Sequence, residues 1–185
     1  MNEAEPSLVV KLELLRHEFD HAFSVPPPAA NALHLDLLAL RVHGERYAIR
    51  LPDVRAIARV RKLVRVPTRT PDLLGLATLR TAIVPVFSLA SLLGRGPESQ
   101  EPHWMITCGT HDLIAFGFSE FDGHLRVAAQ EVSAAEATGY DHTTQPCVDG
   151  LARTEAGLAA LVDVSALIAT ITARRHTVDS QGVDR

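Results

Sequence analysis

Cysteine is scarce in this sequence: Cys108 and Cys147 are its only two, far apart and outside any C-x-x-C spacing. That scarcity argues against a disulfide framework or a locally paired thiolate metal site, and points to two structural thiols in a reducing compartment. Long apolar runs are also missing, since none approaches the ~18 residues that a membrane-crossing helix requires. The first residues, Asn2-Glu3-Ala4-Glu5, are polar and acidic without a basic stretch, so a soluble, cytoplasmic protein without a secretory leader is expected. Nor is there a strong excess of one charge: 18 basic and 22 acidic residues leave a formal net charge of −4. Such a balance gives no reason to expect nucleic acid or an anionic membrane as the main partner. P-loop, Rossmann glycine and G-x-S-x-G patterns are absent as well. What remains is a chain of 185 residues, 46% hydrophobic and 22% charged, ordinary for one soluble globular domain with extensions.

The chain divides by texture into residues 1–30, 31–173 and 174–185. Within the first, Ser7 is a candidate N-cap for a helix over 7–23, in which Leu8, Leu12, Leu15 and Phe19 recur at four- and three-residue steps as a narrow apolar seam. Pro26-Pro27-Pro28 ends that helix and makes a semi-rigid tether. From Leu33 the pattern becomes one of short strands. Leu33 to Val42 and Tyr47 to Leu51 flank a turn at His43-Gly44, and further strands are expected over 82–87, 104–108, 113–118 and 125–128. A closing hairpin is expected over 150–164, and short helices over 52–58, 88–93 and 165–173. Many short strands separated by Gly, Pro and Asp argue for an all-β barrel or sandwich. The polar loop 95–102 is expected to divide two β subdomains, and the tail after Arg174 to be disordered.

Two features invite a chemical reading. His17-Glu18-Phe19-Asp20-His21 matches H-E-x-x-H, which on a helix puts two imidazoles one turn apart to hold zinc with a glutamate as base. A zinc hydrolase also needs a third ligand, but Ser24 and Pro27 stand where the extended motif requires glycine and histidine. The segment also precedes any sheet that could hold a substrate, so a solvated helix face is the preferred reading. No catalytic, metal-binding or cofactor-binding residue is therefore assigned. The run Arg55, Arg59, Arg61, Lys62, Arg65 and Arg69 has no acid among its six cations. It lacks the interleaved aromatics that stacking on single strands would use. A solvated edge is its plain reading, an acidic protein partner the next, and a nucleic-acid-binding β-barrel the remote one.

The stretch from Leu40 to Gly94 resembles the CheW-like domain family. Val42-His43-Gly44-Glu45-Arg46-Tyr47-Ala48-Ile49 looks like the family's opening hairpin, and Val54-Arg55-Ala56-Ile57, Val66-Pro67 and Pro71 look like its next turn and strand. The most specific piece is Gly75-Leu76-Ala77-Thr78-Leu79-Arg80-Thr81-Ala82-Ile83-Val84-Pro85-Val86, which resembles the signature G-x-x-N-L-R-G-x-I-x-P-V. Residues 150–167 resemble the closing hairpin and helix, so the likeness covers about 33–172. The resemblance implies two packed five-stranded SH3-like β-barrels, with the N-terminal amphipathic helix and a short C-terminal helix added. It implies a non-enzymatic adaptor between the cytoplasmic tip of a methyl-accepting chemoreceptor and the regulatory domain of a CheA-type histidine kinase, with no cofactor and no membrane insertion. Arg80, Val54, Gly75 and Leu79 match its contact region. The seam of Leu8, Leu12, Leu15 and Phe19 either docks on a partner or folds back on its own domain. Thr78 stands for the signature asparagine, Thr81 for its glycine, Ser88 and Ala90 for a later aspartate and arginine, and Ala56 for an acidic residue.

Overall fold

A computed structural model describes residues 33–98, 100–109, 113–134 and 147–180, the residues after Arg174 by backbone alone. The chain divides into units 1–33 and 34–185, and all the described residues but Leu33 fall in the second. The predicted helix over 7–23, its Leu8, Leu12, Leu15 and Phe19 seam, the proline tether and the His17/Glu18/His21 match lie outside the described residues.

Twelve strands are described: β1 (His34–Val42), β2 (Glu45–Arg50), β3 (Ala56–Arg59), β4 (Leu63–Val64), β5 (Leu73–Leu79), β6 (Ala82–Ser88), β7 (Trp104–Cys108), β8 (Ile114–Phe118), β9 (Glu120–Ala128), β10 (Val132–Ala134), β11 (Val148–Thr154) and β12 (Gly157–Val162). Helix α1 (Leu89–Leu92) follows β6 and α2 (Val164–Ser180) follows β12. The strands form two six-stranded sheets, the first ordered β10-β11-β12-β2-β1-β9 and the second β3-β7-β8-β6-β5-β4. Mainly β is therefore correct, but each sheet has six strands where the sequence implied five. The outermost strands of each sheet are consecutive in the chain: β3 and β4 are parted by residues 60–62, and β9 and β10 by a helical turn at Ala129–Glu131.

The chain makes the start of sheet one, all of sheet two, and then returns to finish sheet one. Loop 95–102 consequently lies inside sheet two and does not divide the sheets, contrary to the expectation from its polarity. It belongs to the crossover that the parallel pairing of β6 with β8 requires. Residues 52–58, expected to be helical, instead make one tight turn at Leu51–Asp53 and then β3. Ile57 and Ala58 pair with Ile106 and Met105 of β7 and send side chains to opposite faces, both apolar, which a lone helical turn could not bury.

Three apolar clusters result. The largest lies between the sheets, where Leu40, Tyr47 and Ile49 of sheet one meet Phe87, Ile106, Phe116 and Phe118 of sheet two. The other face of each sheet holds a smaller cluster, with Leu37, Ala48, Ala152 and Leu161 in sheet one and Ala77, Val84, Val86, Met105 and Ala115 in sheet two. Small and branched residues dominate there because a tightly curved sheet has room for little else. Helix α2 adds Val164, Leu167 and Ile171 to the intersheet core. Its start is capped by Asp163, whose Oδ1 accepts from Ser165 N at 2.8 Å and Ala166 N at 3.2 Å. It continues to Ser180, beyond the expected end at Ala173 and through part of the tail expected to be disordered. No proline or glycine interrupts 174–180, and Arg174 donates to the buried Asp72 at 2.5 Å, fixing the helix to the start of β5.

Candidate functional site

Antiparallel pairing of β5 with β6 leaves a two-residue turn, Arg80-Thr81, between Leu79 and Ala82. Arg80 has φ +55°, a left-handed conformation uncommon outside glycine, asparagine and aspartate. Thr81 is not among the positive-φ residues, so only the first central residue of the turn takes a positive φ, unlike a I′ turn, which needs one at both. This accounts for a β-branched residue at the signature's glycine position. The conformational cost falls on Arg80, which is exposed at the hairpin tip. Among the described residues no side chain bonds its guanidinium.

Behind the tip lies an apolar strip that alternation could not have revealed. Val64 pairs with Leu76, and Leu76 with Pro85; one rung further on, Thr78 pairs with Ile83. Cross-strand partners share a face. Ile83 is 72% exposed and Val64 51%, so this part of the face is bare where sheet one does not cover it. β6 reads Ala82-Ile83-Val84-Pro85-Val86, apolar at every position, a pattern that suits burial on both faces. Val84 and Val86 are buried and Ile83 is not.

The other expected contact residues occupy different surroundings. Leu79 is half-buried against the inner cluster of sheet two, beside Arg80. Gly75 is buried at the β5 bulge with φ +152°, and a Cβ there would sit 2.5 Å from the Val64 carbonyl oxygen. Gly75 thus lets β4 approach β5, and it shapes the strip from beneath. Val54 lies on the loop out of β2 and packs against the intersheet core, away from the hairpin strands.

Elsewhere the chemistry is quiet. Both cysteines are free and buried, and burial pushes the Cys108 thiol to about 12 and the Cys147 thiol upward. Among the described residues there is no group of three or more His, Cys, Asp and Glu side chains placed to hold a metal ion. No described helix is long and apolar enough to cross a membrane.

A two-sheet β domain with an exposed apolar strip beside an arginine-tipped turn shares these features with protein-docking modules. The CheW-like domain model matches residues 36–172, and the chain belongs to that family. Among solved structures, the scaffolding protein TtCheW from Thermoanaerobacter tengcongensis is similar in fold, with a TM-score of 0.63 at 15% identity over 73% of this chain and 92% of that one. No curated protein matches significantly.

Proposed function

We propose that the chain is a non-enzymatic, CheW-type adaptor that couples the cytoplasmic tip of a chemoreceptor to the CheW-like regulatory domain of a CheA-type histidine kinase. The observation that carries this reading is the β5–β6 hairpin, with exposed Arg80 at the end of the bare Val64, Leu76, Pro85 and Ile83 strip. An apolar strip supplies contact area, and an arginine at its end makes forked bonds to a partner carboxylate. In this reading each sheet is an SH3-like barrel of five strands, one of which is split into two short pieces. Residues 1–30 form a docking extension, and the protein works in the cytoplasm, recruited to membrane-bound receptor clusters. Arg80 and Leu79 touch the partner, Gly75 holds the shape beneath them, and Val54 supports the intersheet core.

The test is retention of the CheA-type kinase and of a receptor-tip fragment from the same genome on the immobilised chain. Wild type retains both, and Arg80→Ala retains about tenfold less of at least one at equal load. Wild-type retention of neither protein would overturn the reading.

A further inference from the structure

Sheet two ends in β3 and β4, and the stretch from Arg55 to Arg69 that contains them holds six of the chain's 18 basic residues and no acid. All six cations are exposed. The remaining residues carry twelve basic groups against 22 acidic ones, so this segment is a local reversal of an acidic chain. Little in the fold neutralises it. Arg65 meets Glu101 at 3.0 Å in a solvent-exposed pair, and Arg55 donates to the Gly109 carbonyl at 3.3 Å. Arg59 lies over the Trp104 ring, 4.9 Å from its centroid. Arg61, Lys62 and Arg69 have no ion-pair or hydrogen-bond partner among the described side chains. Like charges crowded in this way repel one another and so favour an anionic occupant.

We infer that this segment, β3, β4 and the turns around them, is a docking ridge for an acidic protein segment. Five of the six cations are arginines, whose planar forks match carboxylates two bonds at a time. The outer side of β3 pairs with no described strand, which leaves an extended partner room to lie along it. Single-stranded nucleic acid is the poorer fit, because stacking needs free aromatic faces. The one tryptophan nearby already has Arg59 on one face and Phe121 at 5.4 Å.

Trp104 is the only tryptophan in the chain and touches the ridge through Arg59, so its emission reports occupancy. The full chain is titrated with a polyglutamate peptide and, separately, with a polythymidine oligonucleotide of equal charge, at low and high salt. The peptide gives a saturable change in emission that weakens with salt, and it binds more tightly than the oligonucleotide. Arg61→Glu/Lys62→Glu weakens peptide binding about tenfold, and Arg69→Glu, in a loop where folding is not at stake, about threefold. Arg126→Glu, exposed on sheet one, changes the affinity little. Absence of a saturable response, an equal loss in Arg126→Glu, or tighter binding of the oligonucleotide would each overturn the inference.

Discussion

Sheet one ends in β9, whose exposed Glu120, Asp122, His124 and Arg126 mix both signs, whereas the exposed charges of β3 and the adjoining 60–65 segment of sheet two are all positive. A sheet edge needs charge, of either sign, to discourage unwanted strand addition. Sheet one meets that need with groups that pair locally: Arg41 with Asp122 at 2.9 Å, and His124 with Asp36 at 3.0 Å. Around β3 and β4 of sheet two, three of the six cations, Arg61, Lys62 and Arg69, have no partner among the described side chains. The outer faces differ in the same sense. Sheet one exposes Leu158 near a hairpin turn, with Leu33 and Leu51 exposed just beyond the ends of β1 and β2, scattered residues of the kind common on any surface, while Val64 and Ile83 fall on one face of sheet two within two rungs of each other. One sheet thus carries locally paired charge and the other carries unpartnered cations beside exposed apolar groups, and substitutions in the two sheets should test what that contrast does.

The largest expected effect is at Gly75. Alanine there would bring its Cβ within 2.5 Å of the Val64 carbonyl, a backbone atom that cannot swing aside. Gly75→Ala should therefore cost about 3 kcal/mol in urea unfolding, with β4 displaced. Next is the link from α2 to sheet two: Arg174→Ala strands the buried Asp72 carboxylate and should cost about 2 kcal/mol by the same measurement. The matching glycine change on sheet one, Gly123→Ala, meets no atom within 4 Å and has only its φ of +134° against it. About 1 kcal/mol is expected there. A Gly123→Ala cost equal to that of Gly75→Ala would show that strand conformation, and not the close approach of β4, sets the requirement.

Between the sheets the two thiols offer a smaller test. Burial raises the Cys108 thiol from an ordinary 9.0 to about 12, which favours the protonated form in the folded state. The stability that this contributes is fully present below about pH 9 and is lost as pH rises towards about 12. Neither thiol should react with a disulfide reagent at pH 8 in the native protein, and both should react once guanidinium unfolds it. Fast native reaction of Cys108 would mean that the intersheet core opens readily.

How much of this was legible follows from strand length and from faces. The hairpins β1–β2 and β11–β12 and the strands around β6, β7 and β8 stood out because each has several apolar residues bounded by turn residues. β4 and β10, with two and three residues, are too short for any periodicity. β3 read as helix because Pro52 and Asp53 suit a first helical turn, and only pairing with β7 decides otherwise. Two β subdomains were expected, but where the chain passes between them was hidden because sheet one is assembled from both ends of the domain, which no local pattern encodes. At the hairpin, Arg80 was singled out by the likeness of its segment to the family signature, whereas its place in a two-residue turn and its left-handed backbone were not readable. Ile83 was invisible for the opposite reason: a strand apolar on both faces does not announce which face remains bare.

The finest test uses that residue. Ile83→Ser removes apolar surface that is already 72% in water, so little burial is lost and unfolding stability should stay within about 0.5 kcal/mol of wild type. Asp122→Asn on sheet one should be equally silent in stability, since an exposed ion pair contributes little. The two should part company in retention of the kinase and receptor tip: Ile83→Ser should lower it and Asp122→Asn should not. If both variants retain partners like wild type, the bare strip is ordinary surface and the contrast between the sheets rests on charge alone. If Ile83→Ser instead unfolds the protein, the strip belongs to the core and the face is covered in solution.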